Sequence, residues 1–200
     1  MKKLFTLTLA LVASISFAFA QQFVSEGPVT ILKTEVNGFT INIPKVDSKS
    51  ATTAITEFLA EKGLVKPKSD DKFTSYKAQK FDVIGEGTYD IYFKAVQKGK
   101  KKDISSDIIF ICSFGNLNTV SSSNHAIEAS NIKAFMSKFP RVIEKYQLKK
   151  QIEANTKERE KAEKELKKMQ DKLSKATSKQ NDLIKQLEDA KNRLKDFTID

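Results

Sequence analysis

The chain has 200 residues, with 35 lysines and arginines against 25 acids, and a formal net charge of +10. A single cysteine, Cys112, excludes an internal disulfide framework, and together with a single histidine, His125, it excludes a zinc centre built from those ligand types. No glycine-rich phosphate loop stands before a helix, since Gly85-Glu86-Gly87 is too short and lies between strand-like segments.

The N-terminus reads Met1-Lys2-Lys3, then an apolar run from Leu4 to Phe19, then the small-x-small triplet Ala18-Phe19-Ala20. These are the charged, apolar and cleavage regions of a Sec-type signal peptide, in order. Cleavage after Ala20 is therefore expected, with residues 1–20 removed and the mature chain starting at Gln21. The run is short for a membrane span of about 20 apolar residues and carries Thr and Ser. No long apolar stretch follows, so no transmembrane segment is expected after cleavage, and the mature protein is expected to be periplasmic or secreted. Loss of Lys2 and Lys3 takes the 35 basic residues to 33 against 25 acids, a net charge of +8. Both signs are mixed along the chain, which keeps a protein soluble; the surplus also attracts polyanions such as an anionic envelope polymer.

Val29–Val36 and Phe39–Ile43 have strand character, and Asn37-Gly38 between them predicts a tight type I′ turn. Phe39, Ile41 and Ile43 alternate with polar residues, so one face is buried. A helix is predicted next, capped by Asp47 or Ser48 and ended by Gly63, with Ala51, Ala54, Ile55, Phe58 and Leu59 on one face. Residues 66–72 read as a polar loop. A β meander follows: Phe73–Ile84, then a segment in which Tyr89, Ile91, Phe93 and Ala95 alternate with polar residues, then Ile104–Phe114, apolar on both faces and so an interior strand. The Lys98–Lys102 segment between the last two is a lysine-rich hairpin tip; Lys98, Lys100, Lys101 and Lys102 form a candidate anion patch. Cys112 lies in an apolar strand and is expected to be buried and inert. From about Ser123 the pattern becomes helical, with Ile127, Phe135, Phe139 and Val142 or Ile143 as the apolar face and Pro140 as a kink or break.

From Lys145 onward there is neither Gly nor Pro, and strong helix formers dominate. Leu148, Ile152, Leu166, Met169, Leu173, Leu183, Leu187 and Leu194 fall in one 3-4 register, joined by Ala162, Ala176, Ala190 and Phe197. With a at Lys145, these residues fill a and d positions, the signature of a coiled coil. A parallel in-register pair would face Arg159 with Arg159. An antiparallel pair matches Glu144 with Arg193, Glu158 with Lys179 and Glu165 with Lys172 at g, and Ile152 with Leu183 in the core; its like-charge contact is Lys149 with Lys191. The expectation is a homo-oligomer, as an antiparallel dimer, or a complex with another envelope protein.

The sequence thus predicts an α+β protein: a small antiparallel sheet of about five strands with helices on one face over residues 21–140, then a long C-terminal coiled-coil helix over 141–200. Ser121-Ser122-Ser123-Asn124-His125 reads as a helix cap and not as a Ser/His catalytic pair, because no acid is placed to orient the ring. Tyr76, Tyr89 and Tyr92 read as core, or as the lining of a pocket between sheet and helix. No catalytic, cofactor or metal site is expected. The functional expectation is a non-enzymatic binding or scaffold protein of the bacterial-type cell envelope that self-associates through its tail. The alternative is a small-ligand or lipid-binding periplasmic domain with the helix as spacer or lid. In combining basic charge, export and a coiled coil, the composition is similar to that of Skp-type periplasmic chaperones, but those insert their helical arms within a small β domain, and no residue role carries over.

Overall fold

The computed structural model describes residues 23–100 and 103–196. The expected signal peptide and cleavage point, Lys101, Lys102 and Phe197 lie outside the described residues. The chain divides into two compact units, one up to Gln147 and one from Leu148. The sequence places that line after residue 140; Ile143, buried in the core of the first unit, and Tyr146, packed against it, lie beyond that point.

The first unit is built on strands β1 (Ser25–Ile31), β2 (Thr34–Pro44), β3 (Lys68–Asp70), β4 (Phe73–Phe81), β5 (Gly85–Lys98) and β6 (Ser105–Ser113). They form one six-stranded sheet in the order β1-β2-β6-β5-β4-β3, every pair antiparallel. The sixth strand beyond the five expected is β3, in the segment read as a polar loop. It is three residues long at a sheet edge, held by backbone pairing to β4, and has no apolar alternation to betray it. Helices α1 (Ser48–Glu61), α2 (Ala126–Met136) and the start of α3 (Phe139–Asp196) cover one face. The fold is α+β, with the antiparallel sheet and one-sided helices that the sequence patterning predicts.

Alternation explains how β2, β5 and β6 divide their side chains. Phe39, Ile41, Ile43, Ile91, Phe93, Ile108, Phe110 and Cys112 join the helix-side core, while Ile31, Phe73, Tyr92 and Ile111 form a separate cluster on the other face. Strand β6, between β2 and β5, is apolar on both sides because both faces are covered. Helix α1 begins where Asp47 Oδ1 accepts from the Ser50 amide at 2.8 Å, and Gly63 follows its end at φ +93°. Ala51, Ala54, Ile55 and Leu59 are fully buried, and Phe58 stacks on Phe135 at 5.4 Å. Phe135 also meets Phe81 and Phe139 edge-on at 5.3 and 5.2 Å, so the helix side of the core centres on this ring.

Three local expectations are overturned. The β1–β2 turn is not at Asn37-Gly38 but at Leu32 and Lys33, with φ of +50° and +65°. Asn37 and Gly38 are strand residues paired with Pro28 and Gly27. Moving the turn to Asn37-Gly38 would change the register that buries Ile31 in the cluster with Phe73, Tyr92 and Ile111, and a Cβ on Gly38 would lie 2.9 Å from Val29 Cγ2. Next, Ile127 is 76% exposed; Ala129, Ile132 and Met136 supply the buried face of α2 instead. Finally, no side chain caps α2: His125 stands at the N-cap without a side-chain bond, because Asn124 is engaged by the Ser121 amide and the Thr119 carbonyl. Pro140 sits in the first turn of α3, where its missing N–H costs nothing, and the chain breaks at Ser137-Lys138 between the two helices.

Candidate functional site

The second unit presents a long exposed surface. Every residue from Leu148 to Lys195 is exposed. Among the coiled-coil positions read from sequence, Leu148 is 43% exposed and Ile152, Leu166, Met169, Leu173, Leu183, Leu187 and Leu194 lie between 55% and 69%. The structure places them all on a single uninterrupted helix, where a 3-4 spacing forms one stripe. Ile184, 48% exposed, widens the stripe beside Leu183 and Leu187. Within the helix, the ion pairs Lys150–Glu153 at 3.5 Å and Arg159–Glu163 at 3.4 Å contribute ~0.3–0.5 kcal/mol each, too little to make up for a wet apolar stripe.

The first unit carries a polar cluster around the Ser121–His125 loop. Glu26 of β1 accepts from Asn37 Nδ2 at 2.7 Å, from the Ser122 amide at 2.7 Å and from the Ser122 hydroxyl. It also pairs with Lys133 of α2 at 2.7 Å. A shallow depression of about 610 Å³ lies here, lined by Glu26, Asn37, Ser121, Ser122, Ser123 and Lys133. Burial pushes the Glu26 carboxyl up, but the bonds from Lys133, Ser122 and Asn37 outweigh it and hold its pKa at about 2. A carboxylate held so low is no base near neutrality. Lys133 also donates to the Ser122 hydroxyl at 2.9 Å. The arrangement tethers the loop to β1 and α2. Sequence reasoning missed Glu26 and Lys133 because they are 107 positions apart and meet only through the fold; no local spacing signals them.

His125 packs its ring against Phe114 at 4.5 Å. Among the described residues, no group of three His, Cys, Asp or Glu side chains is placed to hold a metal. Cys112 is fully buried, and its thiol pKa is pushed far up by that burial, with Glu128 and Asp90 adding to it. The lysines of the candidate anion patch divide. Lys98 pairs with the Asp107 carboxylate of β6, Lys100 is exposed, and Lys101 and Lys102 are not described. The three tyrosines are not brought to one pocket: Tyr76 and Tyr89 belong to the helix-side core and Tyr92 to the opposite cluster. The Tyr76 hydroxyl is buried without a hydrogen bond. Burial raises the Tyr76 pKa, and the nearby Thr56 hydroxyl, which donates to the Thr52 carbonyl at 2.8 Å, offsets only part of that rise. The Tyr89 ring lies over Gly87, where a Cβ would sit 2.9 Å from it, and that contact explains the second glycine of Gly85-Glu86-Gly87.

A second cluster also went unread in the sequence. Strand β4 bulges at Lys77 and Ala78, where the register shifts. The Ala78 amide, with φ +51°, donates to Asp90 Oδ1 at 2.8 Å. Lys77 lies over the Tyr92 ring at 4.2 Å and pairs with Asp70 at 3.4 Å. These bonds stabilise the bulge.

Compared with protein families, curated proteins and solved structures, the chain matches none. No helix among the described residues is long and apolar enough to cross a membrane.

Proposed function

We propose that this chain is an exported, non-enzymatic binding or scaffold protein of a bacterial-type cell envelope, assembled through its C-terminal helix as a coiled coil. The observation that carries the reading is the apolar stripe of residues 148–194, wholly exposed on a helix with no Gly or Pro after Pro140. Such a stripe in water is stable only when another surface covers it. Export is supported by the Met1-Lys2-Lys3 start, the Leu4–Phe19 run and Ala18-Phe19-Ala20. A charge of +8 after removal of Lys2 and Lys3 favours anionic envelope polymers as company, an attraction that weakens with salt.

Export is tested by fusing residues 1–20 to a reporter active only outside the cytoplasm and sequencing the N-terminus of the full chain recovered from the envelope. The reading expects reporter activity and a chain starting at Gln21. An inactive reporter with Met1 retained would overturn it.

A further inference from the structure

We infer that the surface covering the exposed helix is a second copy of the same helix running antiparallel, with Ile152 of one copy opposite Leu183 of the other. This rests on the association proposed above and names its partner and register. Three observations carry it.

The first is the charge pattern at g. Glu158 and Glu165 occupy the N-terminal half, Lys172 and Lys179 the C-terminal half. Antiparallel pairing brings Glu158 to Lys179 and Glu165 to Lys172, and by symmetry each contact occurs twice. The second is the core. The same alignment stacks Leu148 on Leu187, Ile152 on Leu183, Leu166 on Met169 and Ala162 on Leu173. It sets the two basic a residues, Lys145 and Arg159, against the small d residues Ala190 and Ala176, and the polar pair Asn155 and Gln180 against each other. A parallel in-register pair would stack Arg159 on Arg159 and Lys145 on Lys145, burying like charges together. One shift thus satisfies the g-position charges, the side-chain volumes and the polar layer, and leaves Lys149 facing Lys191 at its rim.

The third is the continuity of the helix. The symmetry centre falls at Lys167-Lys168, inside an unbroken helix, so the chain does not fold back on itself there to cover its own stripe. The geometry also has a consequence. The two Leu148 residues, each next to its copy's globular unit, stand ~60 Å apart in such a pair, at 1.5 Å per residue.

The test mixes two versions of the mature chain, Ile152→Cys and Leu183→Cys, distinguished by mass, under mild oxidation. Both positions are exposed, at 66% and 55%, so neither substitution disturbs the globular core, and the native Cys112 is buried and does not compete. The inference expects the mixed disulfide to form rapidly and Ile152→Cys alone to give none. A nitroxide at Glu153→Cys supplies a second reading, ~40 Å between copies if antiparallel against under ~20 Å if parallel. An Ile152→Cys homodimer or the short spin distance would overturn the orientation while leaving self-association in place. No cross-link and a monomeric mass would overturn both this inference and the association on which it rests.

Discussion

The Leu32 amide donates to the Asp71 carboxylate at 2.8 Å, joining the turn between β1 and β2 to the turn between β3 and β4. These turns belong to opposite edges of the sheet, since β1 and β3 are its outermost strands. The sheet must therefore curl until its ends meet, and it curls over Ile31, Phe73, Tyr92 and Ile111, which fill the face without helices. Both turns hold two residues at positive φ, Leu32 with Lys33 and Asp71 with Lys72, the twist that suits two-residue hairpins.

Asp71→Ala removes the bond that fastens the two turns. The expected loss is ~1 kcal/mol, since the bond is exposed, read by urea denaturation. Hydrogen exchange gives the sharper reading: the Leu32 amide should exchange markedly faster in the variant. Unchanged exchange would mean that the apolar cluster alone holds the sheet ends together.

The displaced turn gives a pair of opposed substitutions. Leu32→Asn with Lys33→Gly should stabilise the protein by ~1–2 kcal/mol, because both residues now hold a positive φ that Asn and Gly adopt readily. Gly38→Ala should destabilise it, since the new Cβ would lie 2.9 Å from Val29 and 3.2 Å from the buried Ile111. Thermal melts of both variants decide the matter, and a neutral Gly38→Ala would contradict the strand placement of that residue.

Glu26 predicts a pH dependence. Its pKa in the folded protein, about 2, lies below the ordinary 4.5, so its contribution is fully present above pH 4.5 and is lost as pH falls towards 2. Glu26→Gln should reduce stability by ~1–3 kcal/mol at pH 7 through the weakened bonds to Lys133 and Ser122. The gap between variant and wild type should close below pH 4.5 and vanish near pH 2. Asp47 and Asp107, whose pKa values are also lowered, titrate in both proteins and do not affect the difference. A gap that stays constant from neutral pH down would show that Glu26 contributes through packing alone.

The aromatic centre of the core sets a contrast between two residues of α2. Phe135, 1% exposed and against three or more other rings, should cost ~3–5 kcal/mol when replaced by Ala. Ile127, 76% exposed, should cost under ~0.5 kcal/mol on the same change. Denaturant midpoints of the two variants check this ordering.

Much of the fold was legible because burial imposes a period. Phe39, Ile41 and Ile43 announced a half-buried strand, Ala51 to Leu59 a helix face, and Ile108 to Cys112 an interior strand, and each stands as its spacing predicts. The misreadings arose where local preference met tertiary packing. Asn37-Gly38 has the residues of a tight turn, yet pairing and the close approach of Val29 and Ile111 draw both into β2. Ile127 has the right hydrophobicity but points outward, because α2 turns Ala129 and Ile132 to the sheet. The Glu26–Ser122–Lys133 cluster joins β1 to a loop and helix about a hundred residues further on, so only the folded chain reveals it.

If association between chains covers the stripe along residues 148–194, sedimentation equilibrium of the mature chain over a wide concentration range will register it. The expected result is a mass rising from one copy to two. The mass should return to that of a single chain when Leu166→Glu and Leu173→Glu, at positions 57% and 69% exposed, place charges in the stripe. A single-chain mass at every concentration, unchanged by those substitutions, would contradict it.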